Sequence, residues 1–207
     1  MKTKVFCVGF QKTGTTSMET ALGILGYRVT SIFGKTTPIE TLRSTYVEEG
    51  LKIATEYDAV QDMPWPLLFR ELDKAFPGSK FLLTLRDEDS WWASILGHFG
   101  NNPAILQQLT YGEDAGAPFG NEDHYRSVYR NHNQAVLDYF KDRPDDLLVM
   151  NFSKPVDWDN LCSFLGCDVP DQPFPTSNQP KQSPGIRRNL RRMYIRNLNY
   201  LFNKLSR

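Results

Sequence analysis

The sequence predicts an α/β fold of three layers, in which helices cover both faces of a mainly parallel central sheet. Short apolar segments, such as Val5–Val8 and Lys80–Leu85, alternate with longer segments whose apolar residues recur at helical spacing. The short segments are hydrophobic at nearly every position, which is typical of strands that are buried on both faces of a parallel sheet. Strands and helices that alternate in this way along the chain favour the α/β class.

The first half of the chain contains two predicted strands and three predicted helices. The first strand is a β-branched and apolar run that ends at Gly9. The helices follow from apolar residues at helical spacing and from terminating Gly or Pro-Gly sequences. In chain order we expect strand Val5–Val8, helix Ser17–Leu25, helix Pro38–Glu49, strand Asp58–Gln61 and helix Pro66–Phe76.

The second half of the chain continues this alternation and ends in a predicted basic helix. Asn101–Gly120, with its scattered Gly and Pro, is expected to be irregular, and five prolines between Pro170 and Pro184 exclude regular structure there. The predicted elements are strand Lys80–Leu85, a helix from about Ser90, helix Glu122–Lys141, strand Leu147–Phe152, helix Trp158–Leu165 and the tail helix Ile186–Leu205.

Length and composition predict a single domain over residues 1–207, with a basic helical segment at about 183–207. A chain of 207 residues with 40% hydrophobic content is long enough for one well-packed core and short for two. Its 24 basic and 24 acidic residues cancel, so the overall charge predicts no general attraction to nucleic acid or to an anionic membrane. Any site for an anion must therefore be built locally.

The sequence also predicts a cytoplasmic location. The first nine residues lack the apolar segment of about 7–15 residues that a signal peptide needs, and no stretch approaches the roughly 20 apolar residues that span a bilayer. The three cysteines, Cys7, Cys162 and Cys167, are few and lie within apolar patterns. We therefore expect reduced, buried thiols and no zinc site.

A glycine-rich segment after the first strand has the spacing of a phosphate-binding loop. Gly9–Thr16 reads GFQKTGTT and lies between a predicted strand and a predicted helix, as such a loop must. Glycines let successive backbone N–H groups converge on one anion, and the helix that opens near Thr15 adds the positive end of its dipole. The alternative is a tight turn with a helix N-cap at Thr13 or Thr15, which needs no ligand.

The position of the lysine distinguishes this segment from the ATP-binding loop. The ATP-binding loop has Lys directly after its second Gly, whereas this chain has Thr15 there and its lysine three residues earlier, at Lys12. An ammonium at Lys12 would approach a bound phosphate from the crest of the loop, with hydroxyls of Thr15 and Thr16 nearby. Such a site does not require a metal ion.

A second candidate anion site follows the strand Lys80–Leu85. Arg86 leaves this strand at its carboxyl end, Ser90 is the expected helix N-cap, and Ser94 lies one helical turn further on the same face. A guanidinium offers a planar fork of donors that suits a phosphate dianion, and a hydroxyl can complete the set. Taken alone, Arg86 could equally form a surface ion pair with Asp87 or Glu88.

Together these motifs resemble the sulfotransferases that use 3′-phosphoadenosine-5′-phosphosulfate (PAPS), a family with a P-loop NTPase-like α/β fold. In that family a loop of the form Lys-x-Gly-Thr-Thr binds the 5′-phosphosulfate, and Lys12–Thr16 reproduces it. The family binds the 3′-phosphate with an Arg and a Ser eight residues on, as in Arg86 and Ser94. One departure is Glu88, where the family often has a proline, and this affects only the start of a helix.

The resemblance implies a set of donor-binding residues and a general base. Asp62 follows a predicted strand, so it should project from the same edge of the sheet as the glycine loop, and related enzymes place a His or a carboxylate at a comparable position. An ordinary helix-capping role for Asp62 stays open. We expect Lys12 and Asp62 to be catalytic. The expected donor-binding residues are Gln11, Lys12, Thr13, Gly14, Thr15, Thr16, Ser17, Arg86 and Ser94.

Other residues are weaker candidates for the site. His98, His124 and His132 compete with Asp62 for the role of base, although packed or exposed histidines are the usual case in helices. Aromatic side chains that could line an acceptor pocket or stack on adenine are more often plain core; these are Trp65, Phe69, Trp91 and Trp92. A group of arginines in the tail could close the 3′-phosphate site, form a solvated helix face or contact another subunit. This group is Arg187, Arg188, Arg191 and Arg192.

The sequence therefore predicts a sulfotransferase that moves a sulfuryl group from PAPS to a hydroxyl or amine of a small-molecule or glycan acceptor. Two alternatives are a P-loop kinase that depends on ATP or GTP, and a nucleotide-binding protein without catalysis. No metal, nucleic acid or membrane partner is expected. The acceptor and the oligomeric state are not determined, because acceptor pockets are built by variable loops, here Ile32–Glu40 and Asn101–Gly120.

Overall fold

The computed structural model of the protein describes residues 2–176, and within them five strands form one parallel sheet. The sheet order is β2-β3-β1-β4-β5, which confirms the predicted parallel α/β fold and places β1 between β3 and β4. In chain order the strands are β1 (Val5–Cys7), β2 (Val29–Thr30), β3 (Ala59–Val60), β4 (Lys80–Leu85) and β5 (Leu147–Asn151). Strands β2 and β3 lie on one side of β1, and strands β4 and β5 lie on the other, so the strand order switches at β1. In open α/β sheets ligands bind at the carboxyl ends of the strands beside such a switch point.

Seven α-helices connect and cover the strands in the described part of the chain. They are α1 (Thr15–Ile24), α2 (Ile39–Glu56), α3 (Phe69–Ala75), α4 (Glu88–Phe99), α5 (Ile105–Tyr111), α6 (Glu122–Phe140) and α7 (Trp158–Leu165). Short 3₁₀ turns at Trp65–Leu68 and Glu113–Ala115 precede α3 and follow α5.

The alternation of side chains along the strands produces the three layers. Val5 and Cys7 of β1 pack on one face of the sheet against α1 and α7, whereas Phe6 and Val8 pack on the other face against α2, α3 and α6. Because both faces are covered, nearly every residue of a central strand is apolar, which explains the continuous hydrophobic runs in the sequence.

A third apolar cluster lies beyond the glycine loop and is built mainly by α4, α5 and α6. Its largest fully buried members are Phe10, Trp91 and Tyr125, and the tyrosines Tyr111 and Tyr125 stack with their ring centroids 3.6 Å apart. The cluster therefore fixes these helices to one another and to the loop, and α6 also packs on one face of the sheet.

Several predicted elements differ from the structure. Asn101–Gly120 is not wholly irregular, because α5 forms within it and ends at Gly112. Strand β2 has two residues and was not predicted, since so short a run has no recognisable period. The predicted helix Pro66–Phe76 is divided into a 3₁₀ turn and α3, and α1 begins at Thr15 rather than Ser17.

Two further expectations concern the cysteines and the chain's organisation. Cys7 and Cys162 are buried as expected, but Cys167 is exposed because it follows Gly166, where α7 ends. The predicted basic helix at about 183–207 lies outside the described residues, so the single-domain organisation stays a prediction. Among residues 2–176, no helix is both long and apolar enough to cross a membrane.

Gly9 is required for the close packing of β1 against β4. A Cβ added there would lie 2.7 Å from the backbone nitrogen of Thr84 and closer still to its carbonyl and hydroxyl oxygens, so β4 would have to move. We expect Gly9→Ala to lower the free energy of unfolding by about 3 kcal/mol, measured by urea denaturation. Gly23→Ala is the matched control, because a Cβ at this α1 position meets nothing within 4 Å. It should stabilise the protein by up to about 1 kcal/mol. Equal stabilities of the two variants would contradict this account.

Candidate functional site

Three strand ends meet at one edge of the sheet and carry the polar residues predicted from the sequence. The glycine loop follows β1, Asp62 lies two residues after β3, and Arg86 directly follows β4. Because β1 pairs with both β3 and β4, these three segments are neighbours in space. The structure therefore brings the candidate residues Lys12, Asp62 and Arg86 to the same place.

The glycine loop has a backbone conformation suited to binding an anion. Lys12 and Gly14 both have positive φ, at 70° and 113°, so the loop turns sharply before α1 begins at Thr15. Gly14 is the N-cap of α1 and has no side chain to occupy the amides of the first turn. The expected N-cap at Thr13 or Thr15 is therefore wrong, and whether the loop holds a ligand stays a prediction. Exposed N–H groups at a helix N-terminus favour a phosphate or sulfate.

Two of the predicted loop residues hold the loop in place from the interior. The hydroxyl of Thr13 donates to the carbonyl of Phe10 at 2.6 Å and contacts the hydroxyl of Thr84 on β4 at the same distance. The side chain of Gln11 is buried and its amide donates to Gln107 at 3.4 Å. The side chains of Thr13 and Gln11 thus support the loop, and only their backbones are left to face a ligand.

The remaining loop hydroxyls have different surroundings. Thr16 is exposed, whereas Thr15 and Ser17 are buried. The Thr15 hydroxyl donates to the carboxylate of Asp62 at 3.1 Å, so this residue joins the loop to the end of β3.

Arg86 lies directly against the glycine loop. Its guanidinium nitrogen Nη1 donates to the backbone carbonyl of Lys12 at 3.4 Å. Ser94 is half-buried on α4, two turns into the helix that follows Arg86. The prediction that Ser90 is the N-cap of α4 is wrong. Asp87 caps this helix, because its carboxylate accepts from the Ser90 amide at 3.0 Å.

Asp62 is held in one orientation by its hydrogen bonds. Its Oδ1 accepts from the Met63 amide at 2.8 Å and its Oδ2 accepts from Thr15. Burial raises the pKa of Asp62 above the ordinary 3.8, while these hydrogen bonds and the nearby charges of Lys12 and His98 oppose the rise. A carboxylate with a raised pKa is a better proton acceptor than an exposed aspartate.

The ammonium of Lys12 lies between charges of both signs. Burial lowers the pKa of Lys12, the carboxylate of Asp62 raises it, and the guanidinium of Arg86 lowers it again. Two cations next to each other repel, and a bound anion would relieve that repulsion. The site therefore has a charge arrangement that favours an anionic ligand.

His98 is the histidine whose charge interacts with this site. Burial and the ammonium of Lys12 lower the pKa of His98, whereas Asp62 raises it. The other two histidines contact backbone carbonyls instead: His124 that of Tyr111 at 2.8 Å, and His132 that of Val8 at 2.7 Å. The sequence carried a signal for His98, because Ser90, Ser94 and His98 recur every four residues along one face of α4.

The four aromatic candidates are core residues. Trp65 and Trp91 are fully buried, Phe69 is 4% exposed and Trp92 is 7% exposed. Trp91 also supports the site, because its indole N–H donates to the carbonyl of Gln11 at 3.1 Å.

Comparison with known proteins identifies the family. The family model described as the sulfotransferase domain matches residues 4–111 and 100–183, which include the whole loop, Asp62, Arg86 and Ser94. The chain belongs to the sulfotransferase domain family. This sulfotransferase is also similar to Ava biosynthesis cluster protein M of Aspergillus versicolor, with 24% identity over an alignment that covers 83% of this chain and 79% of that protein.

The sulfotransferase domain thus gathers two cations, a loop of backbone amides and two candidate bases, Asp62 and His98. Within residues 2–176, no group of three or more His, Cys, Asp and Glu side chains is arranged to hold a metal ion. The four tail arginines that the sequence offered for the 3′-phosphate lie outside the described residues.

Proposed function

We propose that this sulfotransferase uses PAPS as its donor and transfers the sulfuryl group to a hydroxyl or amine of a small-molecule or glycan acceptor. The observation that supports this most is the contact of Arg86 with the backbone of Lys12, because it puts two anion-binding groups side by side at one sheet edge. PAPS carries anionic groups at both its 5′ and 3′ positions and fits a site of this kind.

Each residue has a role that its position supports. The amides of the glycine loop, with Thr15 and Thr16, bind the 5′ end of the donor, and Lys12 stabilises the negative charge that develops on the departing phosphate. Arg86 and Ser94 bind the 3′-phosphate. Asp62 takes the proton of the acceptor hydroxyl or amine, because burial raises its pKa and its charge interacts with that of Lys12.

The position of the lysine in the glycine loop favours sulfuryl transfer over the kinase alternative. A P-loop kinase holds its nucleotide with a lysine directly after the second glycine of the loop, where this chain has Thr15. In this chain the lysine stands three residues earlier, at Lys12, where its ammonium approaches the group that is transferred.

We also propose a cytoplasmic location, with neither nucleic acid nor a membrane as a partner. The relative from Aspergillus versicolor is named for a biosynthesis cluster, which supports testing small molecules first. A screen with labelled PAPS against alcohols, phenols, amines and sugars would identify the acceptor class. Failure with every class, alongside tight donor binding, would instead support a nucleotide-binding protein without catalysis.

Calorimetry with adenosine 3′,5′-bisphosphate tests the donor assignment. We expect binding without magnesium, and we expect Arg86→Ala to weaken it by about 10- to 100-fold because a charged hydrogen-bonding partner of the 3′-phosphate is lost. Adenosine 5′-monophosphate should bind this variant nearly as well as the unchanged protein.

The control for this measurement is Arg28→Ala. Arg28 is paired with Asp58, and its side chain is 70% exposed. Arg28→Ala should leave the affinities for the bisphosphate and the monophosphate unchanged. Magnesium-dependent binding of ATP, with no binding of the bisphosphate, would refute the donor assignment in favour of the kinase.

A further inference from the structure

Helix α6 contacts the backbone at both anion-binding segments of the site. Tyr129 and His132 are three residues apart and therefore lie on one face of the helix. Tyr129 reaches the residue that follows β4, and His132 reaches the last residue before the glycine loop. A single rigid element therefore links the two segments.

The Tyr129 hydroxyl forms hydrogen bonds with both the amide and the carbonyl of Arg86. It accepts from the Arg86 amide at 3.1 Å and donates to the Arg86 carbonyl at 2.9 Å. Arg86 follows the end of β4, where backbone groups no longer pair with a neighbouring strand, and these two hydrogen bonds satisfy its amide and its carbonyl instead. They fix the direction in which the Arg86 side chain leaves the strand.

His132 makes the corresponding contact with the backbone that leads into the glycine loop. Burial lowers the pKa of His132 to about 4, so the ring is neutral at pH 7. A carbonyl oxygen only accepts, so Nε2 carries the proton and donates to Val8, the residue that precedes Gly9. The ring also stacks on Phe10 with the centroids 4.2 Å apart.

Trp91 connects these two contacts. Its ring stacks on Tyr129 with centroids 4.2 Å apart and an interplanar angle of 11°, and its N–H donates to the Gln11 carbonyl in the glycine loop. Tyr129 is 3% exposed and Trp91 is fully buried, so neither side chain can swing away without disturbing the core.

We propose that α6 sets the spacing between the two anion-binding segments, with Tyr129 as the positioning residue for Arg86 and His132 as the positioning residue for the glycine loop. This inference rests on the proposed function. The ligand whose binding depends on the spacing is a nucleotide with phosphates at both the 3′ and 5′ positions. A nucleotide with a 5′-phosphate alone engages one segment and is insensitive to the spacing.

The test is the ratio of two affinities in Tyr129→Phe. Phenylalanine keeps the stack on Trp91 and removes only the hydroxyl that holds Arg86. We expect the affinity for adenosine 3′,5′-bisphosphate to fall about five- to tenfold, while the affinity for adenosine 5′-monophosphate stays within twofold. A merely structural role would lower both affinities together or neither.

Tyr125→Phe is the matched control on the same helix. The Tyr125 hydroxyl donates to the Ala115 carbonyl at 2.7 Å, and its ring belongs to the same apolar cluster. This variant also loses one buried hydrogen bond, but it should leave the ratio of the two affinities unchanged.

His132→Phe provides a second, independent readout. It keeps an aromatic ring against Phe10 and removes the donor to Val8, so it should lower the affinity for the bisphosphate more than the affinity for the monophosphate, because only the bisphosphate depends on the spacing between the two segments. An unchanged ratio in Tyr129→Phe, in a protein that binds the bisphosphate, would overturn the inference and leave the proposed function intact. Absence of bisphosphate binding by the unchanged protein would overturn both.

Discussion

Replacing Lys12 with alanine is expected to lower kcat by about a thousandfold. In an in-line transfer the negative charge grows on the bridging oxygen of the departing phosphate, and the Lys12 ammonium is the cation on the crest of the loop that meets it. The protein around Lys12 is already partly dehydrated, since burial lowers the pKa of this ammonium, and an electrostatic contact is stronger there than in water.

The same variant should keep most of its affinity for the nucleotide. The amides of the loop and Arg86 remain, so we expect adenosine 3′,5′-bisphosphate to bind within about tenfold of the unchanged protein. Lys12 already carries a Cβ at φ 70°, so alanine adds no new backbone strain. Initial rates with labelled donor and calorimetry measure the two effects separately.

Lys52→Ala is a suitable control for the loss of a lysine, because Lys52 is exposed on α2. It should leave kcat unchanged. If Lys12→Ala retained full turnover, the role of this residue in leaving-group stabilisation would be refuted.

The fold was predictable from the sequence because the strands of a parallel sheet are marked by continuous apolar runs. Strand β4 was predicted with its observed ends, since six residues with two buried faces leave a clear pattern. Strand β2 was missed because two residues are too few to show a period, and helix α5 was missed because Gly and Pro are scattered around it. Tertiary packing, not local propensity, stabilises such short elements.

The candidate site was predictable in its positions but not in the direction of its side chains. The spacing of the glycine loop placed Lys12 after the first strand, and the apolar run Lys80–Leu85 placed Arg86 at the end of β4. Neither pattern showed that Thr13 and Gln11 turn into the interior, because that depends on Thr84 and Gln107, which are distant in the sequence. The proximity of His98 to the charged site likewise depends on how α4 packs.

Asp62→Asn is expected to lower kcat/KM by about 100- to 10,000-fold near neutral pH, because the acceptor loses its general base. Asparagine tolerates the left-handed region, so φ 68° at this position does not prevent folding. Its side-chain oxygen can still accept from the Met63 amide. The loss of activity would therefore report the lost carboxylate rather than a rearranged loop.

The pH profiles of two variants distinguish Asp62 from His98 as the base. A base works only when it is deprotonated, so activity must fall as the pH drops through its pKa. Burial raises the pKa of Asp62 above 3.8 and lowers that of His98 below 6.5, which moves the two pKa values towards each other. The pH profile of the unchanged protein does not separate the two residues, so the profiles of two variants identify the base. We expect His98→Asn to keep the acid fall in kcat/KM and Asp62→Asn to lose it, together with most of the activity. The reverse pattern would make His98 the base and leave Asp62 as the residue that joins the glycine loop to the end of β3.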